Sequence, residues 1–199
     1  MDGAAAPIAA ALIDLALKQQ APLTLERLHR LLFIIQGWHL AITGKCAFEE
    51  DFVAREQGPV LPEIDLEFAL RGSFPFTEED ASDAALDDDD LISQVILRVW
   101  DYYGEAAEAE VDDIATHTLS PWARARAGER LPTRKGESFQ VEGGEPSAGE
   151  PGTCDGGGAD ETSNGTSRAK TLPAEAIRLH FLARATLGRH AIPSDLTSA

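Results

Sequence analysis

The sequence predicts a mainly α protein: a single compact multi-helix domain with a short β-hairpin and a disordered insertion. Apolar residues recur at helical spacing along most of the chain, which is 199 residues long and 43% apolar. Residues that favour helix starts and stops stand at the ends of these stretches. By contrast, the stretch 136–170 holds nine of the 17 glycines and is rich in Ser, Thr, Glu and Asp. We expect this stretch to be flexible, because it has too few apolar residues to build a core.

The first two helices have the clearest patterns. The first is predicted to end at Gln19-Gln20, and its apolar face carries Ile8, Ala11, Leu12, Leu15 and Ala16. Thr24 is a favourable N-cap for the second helix, and Gly44 ends it. One face of the second helix carries Leu25, Leu28, Leu32, Ile35, His39 and Ile42. Further apolar side chains lie off this face, so the second helix is predicted to be central.

The pattern becomes irregular and aromatic from Cys46 to Ala54, where a short strand or hairpin is expected. Gly58-Pro59-Val60 then predicts a loop, since proline interrupts a helix. Pro62 suits the first turn of a third helix that ends at Arg71-Gly72. The apolar contacts of that helix are expected to come from Ile64, Leu66, Phe68 and Leu70.

Three further helices are predicted before the insertion. Asp87 to Asp90 precede one that runs from Leu91 to Tyr103 and stops at Gly104, with the carboxylates at the positive end of its dipole. Glu105 to Thr116 predicts a shorter helix. Ser120 followed by Pro121 has the form of an N-cap and a first helical residue, so another helix begins there.

These elements give a division of the chain into four parts. Residues 1–135 form the helical domain, and residues 136–170 form a flexible insertion rich in glycine and acidic residues. A C-terminal helix within 171–190 packs back on the domain. Residues 191–199 are expected to form a frayed tail.

The charge of the chain disfavours some classes of partner. A formal net charge of −17 would repel a phosphate backbone, so nucleic acid is an unfavourable ligand.

The apolar N-terminus has no basic residues and is interrupted at Asp14, which predicts neither a signal peptide nor a membrane segment. Cys46 and Cys154 lie far apart, as expected in a reducing compartment. We therefore expect a bacterial cytoplasmic protein.

The sequence also shows little of the residue spacing that enzymes and metal sites need. The five histidines form no metal-binding spacing with one another or with cysteine. There is no Gly-x-Ser-x-Gly, and the glycine run at 156–158 lacks the lysine of a phosphate-binding loop. We predict a protein that is not an enzyme and needs no metal or cofactor. The alternative is an enzyme, a hydrolase or peptidase, that uses His117 with an acidic partner such as Asp113.

Two other features have both a structural and a functional interpretation. The segment from Glu78 to Asp113 is strongly acidic and contains Arg98 as its one basic residue. It is either a solvated surface or a docking face for a basic partner. Trp38, Trp100 and Trp122 each fall where a helix should meet the core. They are either packing residues or, if one of them is exposed, part of a binding surface.

Three sequence blocks together resemble the Panacea domain, the family of SocA-like and phage-associated GepA-like proteins. Leu28 to Leu40 is similar to the family's Leu-Lys-Leu-Leu-Tyr helix and its Gln-Gly-Trp-His-like ending, with Arg30 in place of the usual lysine. Ala54 to Pro62 contains a Gly-Pro-Val loop like that of the family, with Arg55 where an aromatic residue is common. Thr116-His117 with the downstream Pro121-Trp122 is similar to the third block.

The resemblance implies a helical antitoxin that neutralises a cognate toxin by direct contact. In the SocA branch it further implies an adaptor that presents the toxin to the ClpXP protease. The candidate partner contacts are Trp38, His39, Arg55, Gly58, Pro59, Val60, His117 and Trp122. A remaining alternative is a transcriptional autoregulator that binds DNA through Arg124, Arg126, Arg130, Arg134 and Lys135.

Overall fold

A computed structural model of the protein describes residues 4–81, 86–87, 89–128, 170–186, 192 and 196. These residues form seven α-helices, one short 3-10 turn and a three-stranded sheet, so the mainly α prediction is confirmed. In chain order the elements are α1 Ala5–Lys18, α2 Leu25–Thr43, β1 Phe52–Arg55, β2 Gly58–Val60, α3 Pro62–Glu67, the 3-10 turn Glu78–Asp80, α4 Leu91–Tyr103, α5 Glu108–Thr116, α6 Pro121–Arg126, β3 Lys170–Leu172 and α7 Ala174–Thr186.

Helix α2 is the centre of the fold, as the sequence predicts. Residues 27–38 are all buried, and α1, α4, α5 and α7 pack around them. The Thr24 hydroxyl accepts a hydrogen bond from the Arg27 N–H at 3.3 Å, which caps the start of the helix. Gly44 ends it with a left-handed φ of 71°. An apolar helix of this kind is stable only when neighbouring elements cover it on most sides.

A hairpin is present, but it lies later than the predicted stretch 46–54: β1 begins at Phe52, and Gly58-Pro59-Val60 forms the second strand instead of a loop. Strands β1 and β2 are antiparallel, with Arg55 opposite Gly58 and Val53 opposite Val60. The turn therefore falls at Glu56-Gln57. Proline is tolerated in β2 because the order β2-β1-β3 makes it an edge strand.

Strand β3 was not predicted. Lys170 begins it, at the end of the predicted insertion, and it pairs antiparallel with β1 so that Leu172 lies opposite Phe52. Residues 136–169 lie outside the described residues, so the flexibility expected there stays a prediction. The final helix is confirmed as α7, which follows β3 directly and buries Ile177 and Phe181.

The apolar contacts predicted for α3 are partly wrong. Ile64 is buried, whereas Leu66 is 79% and Leu70 104% exposed. Residues two apart on a helix point about 200° away from each other, so such a series cannot face one core. The helix also ends at Glu67, before the predicted stop at Arg71-Gly72.

The remaining helices lie close to their predicted positions. Helix α5 begins at Glu108, three residues later than expected, whereas α4 ends at Tyr103 as predicted. At α6 the Ser120 hydroxyl accepts the Ala123 N–H at 3.2 Å, which confirms the predicted cap. Most of the tail 191–199 lies outside the described residues, although Leu196 is buried in the core.

Candidate functional site

The three blocks that carry the family resemblance meet at the β1–β2 hairpin. From α2, Arg30 Nη2 donates a hydrogen bond to the carbonyl oxygen of Gln57, at the hairpin turn, over 3.3 Å. From α6, Trp122 Nε1 donates to the carbonyl oxygen of Arg55 over 2.7 Å. The hairpin is thus attached from two sides by side chains of the other two blocks.

The far end of the hairpin is attached to α2 by a buried histidine. The Leu61 N–H donates to His29 Nδ1 over 3.3 Å. Burial lowers the pKa of His29 to about 4, against the opposing attraction of Asp65, so the ring is neutral at pH 7. In a neutral ring Nδ1 can accept the hydrogen bond from the Leu61 N–H.

Gly58 is buried at the start of β2 and has a φ of 144°, a conformation that disfavours any residue with a Cβ. A Cβ built there would lie 3.8 Å from Cγ2 of Thr116, which belongs to the third block. There is space for a methyl group, so backbone conformation rather than crowding makes glycine the favoured residue. Pro59 is also buried and Val60 is half-buried. These three residues therefore determine the conformation of the hairpin more than they contribute to its exposed surface.

The hairpin turn is what this arrangement presents to solvent. Arg55, Glu56 and Gln57 are all exposed. Half of the Arg55 side chain is accessible, and its guanidinium lies 2.9 Å from a carboxylate oxygen of Asp65 on α3. We call residues 55–57 together with Trp122 the hairpin face. It combines a fixed backbone with a mixture of charged, amide and aromatic groups that suits recognition of a protein surface.

Trp38 and His39 do not belong to this face. Trp38 is only 1% exposed, and its ring lies 6.0 Å from that of Tyr103, so its side chain is packed in the core. The His39 ring bonds through Nδ1 to the carbonyl oxygen of Lys45 over 2.9 Å, at the C-terminal end of α2. The packing interpretation also describes Trp100, which is buried and donates to Oε1 of Gln19 over 2.9 Å.

His117 lies in a separate cleft of about 240 Å³ between the α5–α6 region and α7. Its Nδ1 accepts the Leu119 N–H over 3.2 Å. Asp113, its partner in the hydrolase alternative, instead pairs with Arg184 over 3.1 Å. His180 borders the same cleft and bonds to the carbonyl oxygen of Ile114 over 3.0 Å, and burial lowers its pKa to about 4. The His117–Asp113 hydrogen bond that general-base catalysis would use is not formed here.

Several buried polar residues on α2 were missed from the sequence. Arg27 donates to the carbonyl oxygens of Tyr103 and Ala106 over 2.7 Å each and pairs with Glu108 over 2.7 Å. Arg30 pairs with Asp112, and Gln36 bridges Ala47 and Phe48. The available signal was a charged or amide residue inside an otherwise apolar helix, since such residues are rarely buried without a specific partner.

The described residues contain no group of three or more His, Cys, Asp or Glu arranged to hold a metal ion. Among the helices within the described ranges, none is both long and apolar enough to cross a bilayer. Cys154 lies outside those ranges. So do three of the five basic residues expected to bind DNA, which are Arg130, Arg134 and Lys135. Of that basic patch, the structure therefore describes only Arg124 and Arg126.

No protein-family model, curated protein or solved structure matches this chain. The resemblance to the Panacea domain therefore stays a prediction.

Proposed function

We propose that this chain is a cytoplasmic antitoxin that neutralises a cognate toxin by direct contact through the hairpin face. The observation that supports this proposal is the convergence of the three resembling blocks on one hairpin through Arg30, His29 and Trp122. Side chains from blocks that are far apart in sequence thus hold one exposed turn in place. Presentation of that turn to a partner would explain why they do so.

A turn that hydrogen bonds already hold in one conformation suits this role, because few further residues have to become ordered when a partner binds. The side chain of Arg30 is almost fully buried and still reaches the backbone of the hairpin, as does that of His29 from the opposite end. Preorganised loops lose less conformational entropy on association than free ones, which favours affinity. The exposed Arg55 and Gln57 side chains supply the polar contacts that select a partner.

The first test is genetic and concerns the open reading frames that adjoin this gene. Each neighbour is expressed alone and then together with this chain, and growth is measured. We expect one neighbour to stop growth alone and to be tolerated when this chain is present. Normal growth with every neighbour expressed alone contradicts the proposal.

The second test localises the contact to the hairpin face. We expect the double variant Arg55→Ala and Gln57→Ala to lose protection and to bind purified toxin at least about tenfold more weakly. Arg98→Ala is the matched control, because Arg98 is also about half exposed and also pairs with a carboxylate, that of Asp101. Equal protection by the hairpin variant and the control places the contact elsewhere, even if the antitoxin activity is real.

The adaptor branch is a finer proposal with its own test. An adaptor must contact both the toxin and the protease, whereas a blocker contacts only the toxin. In a reconstituted digestion with ClpXP and ATP, an adaptor shortens the lifetime of the toxin when this chain is added. Toxin that is inhibited but stays intact identifies a blocker.

A further inference from the structure

Large apolar side chains are exposed in one segment of the chain more than elsewhere among the described residues. The described residues include six exposed large hydrophobic residues, and three of them fall within nine positions. These three are Leu66, Leu70 and Phe74, which are 79%, 104% and 76% exposed. We call them the 66–74 patch. Single exposed leucines are common in soluble proteins, but several large apolar side chains exposed in one short segment are typical of an interaction surface.

The segment that carries the patch is held in place by its other residues. Arg71 donates to the carbonyl oxygen of Pro75 over 2.6 Å, pairs with Asp80, and lies 5.0 Å above the ring of Phe76. Phe76 is buried, and its N–H donates to the carbonyl oxygen of Leu23 over 2.8 Å. The fold therefore buries one aromatic residue of this segment and leaves the patch outside.

The surroundings of the patch are acidic. Residues 62–80 contain six carboxylates and one basic residue, Arg71. Two of those carboxylates are partly neutralised, because Asp65 pairs with Arg55 and Asp80 pairs with Arg71. The other four are exposed and lie before, within and after the 66–74 segment in sequence, and they are Glu63, Glu67, Glu78 and Glu79.

We propose that the 66–74 patch is a docking surface for a basic amphipathic helix of a partner protein. Apolar side chains of that helix would cover Leu66, Leu70 and Phe74, and its lysines or arginines would face the four glutamates. The charge argues against other occupants. A second copy would bring the same four glutamates and a net charge of −17, and an anionic lipid surface would be repelled in the same way. This inference concerns a surface other than the hairpin face and holds whether or not the partner is a toxin.

The test uses model peptides of about 18 residues that form helices with leucine on one face. One peptide carries lysine on the other face, a second carries glutamate there, and a third has the composition of the first in scrambled order. We expect the leucine–lysine peptide to bind the full chain at least about tenfold more tightly than either of the others. The association rate of this peptide should fall as the salt concentration rises from about 0.05 M to about 0.5 M, because salt screens the attraction between its lysines and the four glutamates.

The triple variant Leu66→Ala, Leu70→Ala and Phe74→Ala should weaken that binding at least about tenfold. Its thermal unfolding should match that of the unmodified chain, since the three side chains are exposed. The control is Leu119→Ala with Tyr102→Ala, which removes two similarly exposed apolar side chains from other places. We expect the control to bind the peptide like the unmodified chain.

Four results would overturn the inference. The first is unchanged peptide binding by the triple variant, and the second is equal binding of the leucine–glutamate peptide. The third is self-association in sedimentation that the triple variant abolishes, which would make a second copy the occupant. The fourth is patch-dependent binding to phosphatidylcholine vesicles, which would indicate a lipid surface. A triple variant that loses peptide binding but still protects cells from a toxin supports this inference separately from the antitoxin proposal.

Discussion

The ring of Phe181 in α7 occupies the space beside Gly37 in α2. A Cβ at position 37 would lie 2.1 Å from two carbon atoms of that ring. Glycine is unfavourable in the middle of a helix by roughly 1 kcal/mol relative to alanine, yet here it allows the last helix to approach the central one. Gly37 lies within the first block of the family resemblance, so part of that block has a packing role.

Substitution of Gly37 tests this contact. Gly37→Ala should lower the free energy of unfolding by about 1–3 kcal/mol, although alanine is the better helix former, because the ring of Phe181 must move. Urea unfolding provides the measurement. The double variant with Phe181→Leu should be less destabilised than the sum of its single changes. A Gly37→Ala protein as stable as the original would show that α7 can shift at little cost.

The buried guanidinium of Arg27 provides a second test. It is the donor for a buried carbonyl oxygen at the end of α4 and for a partly buried one in the segment before α5, so its removal leaves both oxygens without this partner. Arg27→Met should therefore lower the free energy of unfolding by about 3–5 kcal/mol. Arg98→Met is the control, because Arg98 is about half exposed, and it should change stability by less than about 1 kcal/mol. Similar losses for the two variants would contradict the assigned role of Arg27.

Local signals in the sequence were sufficient for most of the helices. Thr24, Gly44 and Ser120 act at helix ends through contacts within a few residues, and such contacts can be read directly from the chain. Strand β3 could not be found in this way. It has three residues, too few for a periodic pattern, and its partner β1 lies more than 100 positions earlier.

The candidate site was predictable only in part. The sequence indicated the hairpin and Trp122, but not that Trp122 would bond to Arg55, because their contact depends on how α6 packs on β1. Trp38 was a candidate contact and is buried, since the central helix is covered on the side where it lies. The 66–74 patch was missed because Leu66 and Leu70 were expected to face the core. Periodicity identifies an apolar face only when the spacing is helical.

The two buried histidines make stability depend on pH. Burial lowers the pKa of His29 and of His180 to about 4 in the folded chain, whereas an unfolded histidine titrates near 6.5. As the pH falls, the unfolded state therefore takes up protons first. The stability associated with the neutral rings is fully present above pH 6.5 and is lost between about pH 6.5 and 4.

His29→Gln tests this dependence, because glutamine offers an oxygen to accept the Leu61 N–H and does not titrate. The free energy of unfolding is measured at pH 7 and pH 5 for both proteins. We expect the original chain to lose about 2 kcal/mol more than the variant over this interval. His180→Gln should also reduce the dependence. Identical pH profiles for the original and the double variant would show that neither ring is kept neutral by the fold.

The bond between Trp122 and Arg55 links stability to the proposed hairpin face. Trp122→Phe keeps an aromatic ring and removes the N–H that donates to the Arg55 carbonyl, which should lower the free energy of unfolding by about 1 kcal/mol. Trp100→Phe removes a comparable bond, to Gln19, in another part of the fold. Trp100→Phe should lose at least as much stability, because Trp100 is buried and its truncation also leaves a cavity. Only Trp122→Phe should speed amide hydrogen exchange at the hairpin turn, since of these two bonds only the one from Trp122 attaches the turn. Equal exchange in the two variants would mean that Arg30 and the β1–β2 pairing hold the turn without Trp122, and the hairpin face would then not depend on the third block.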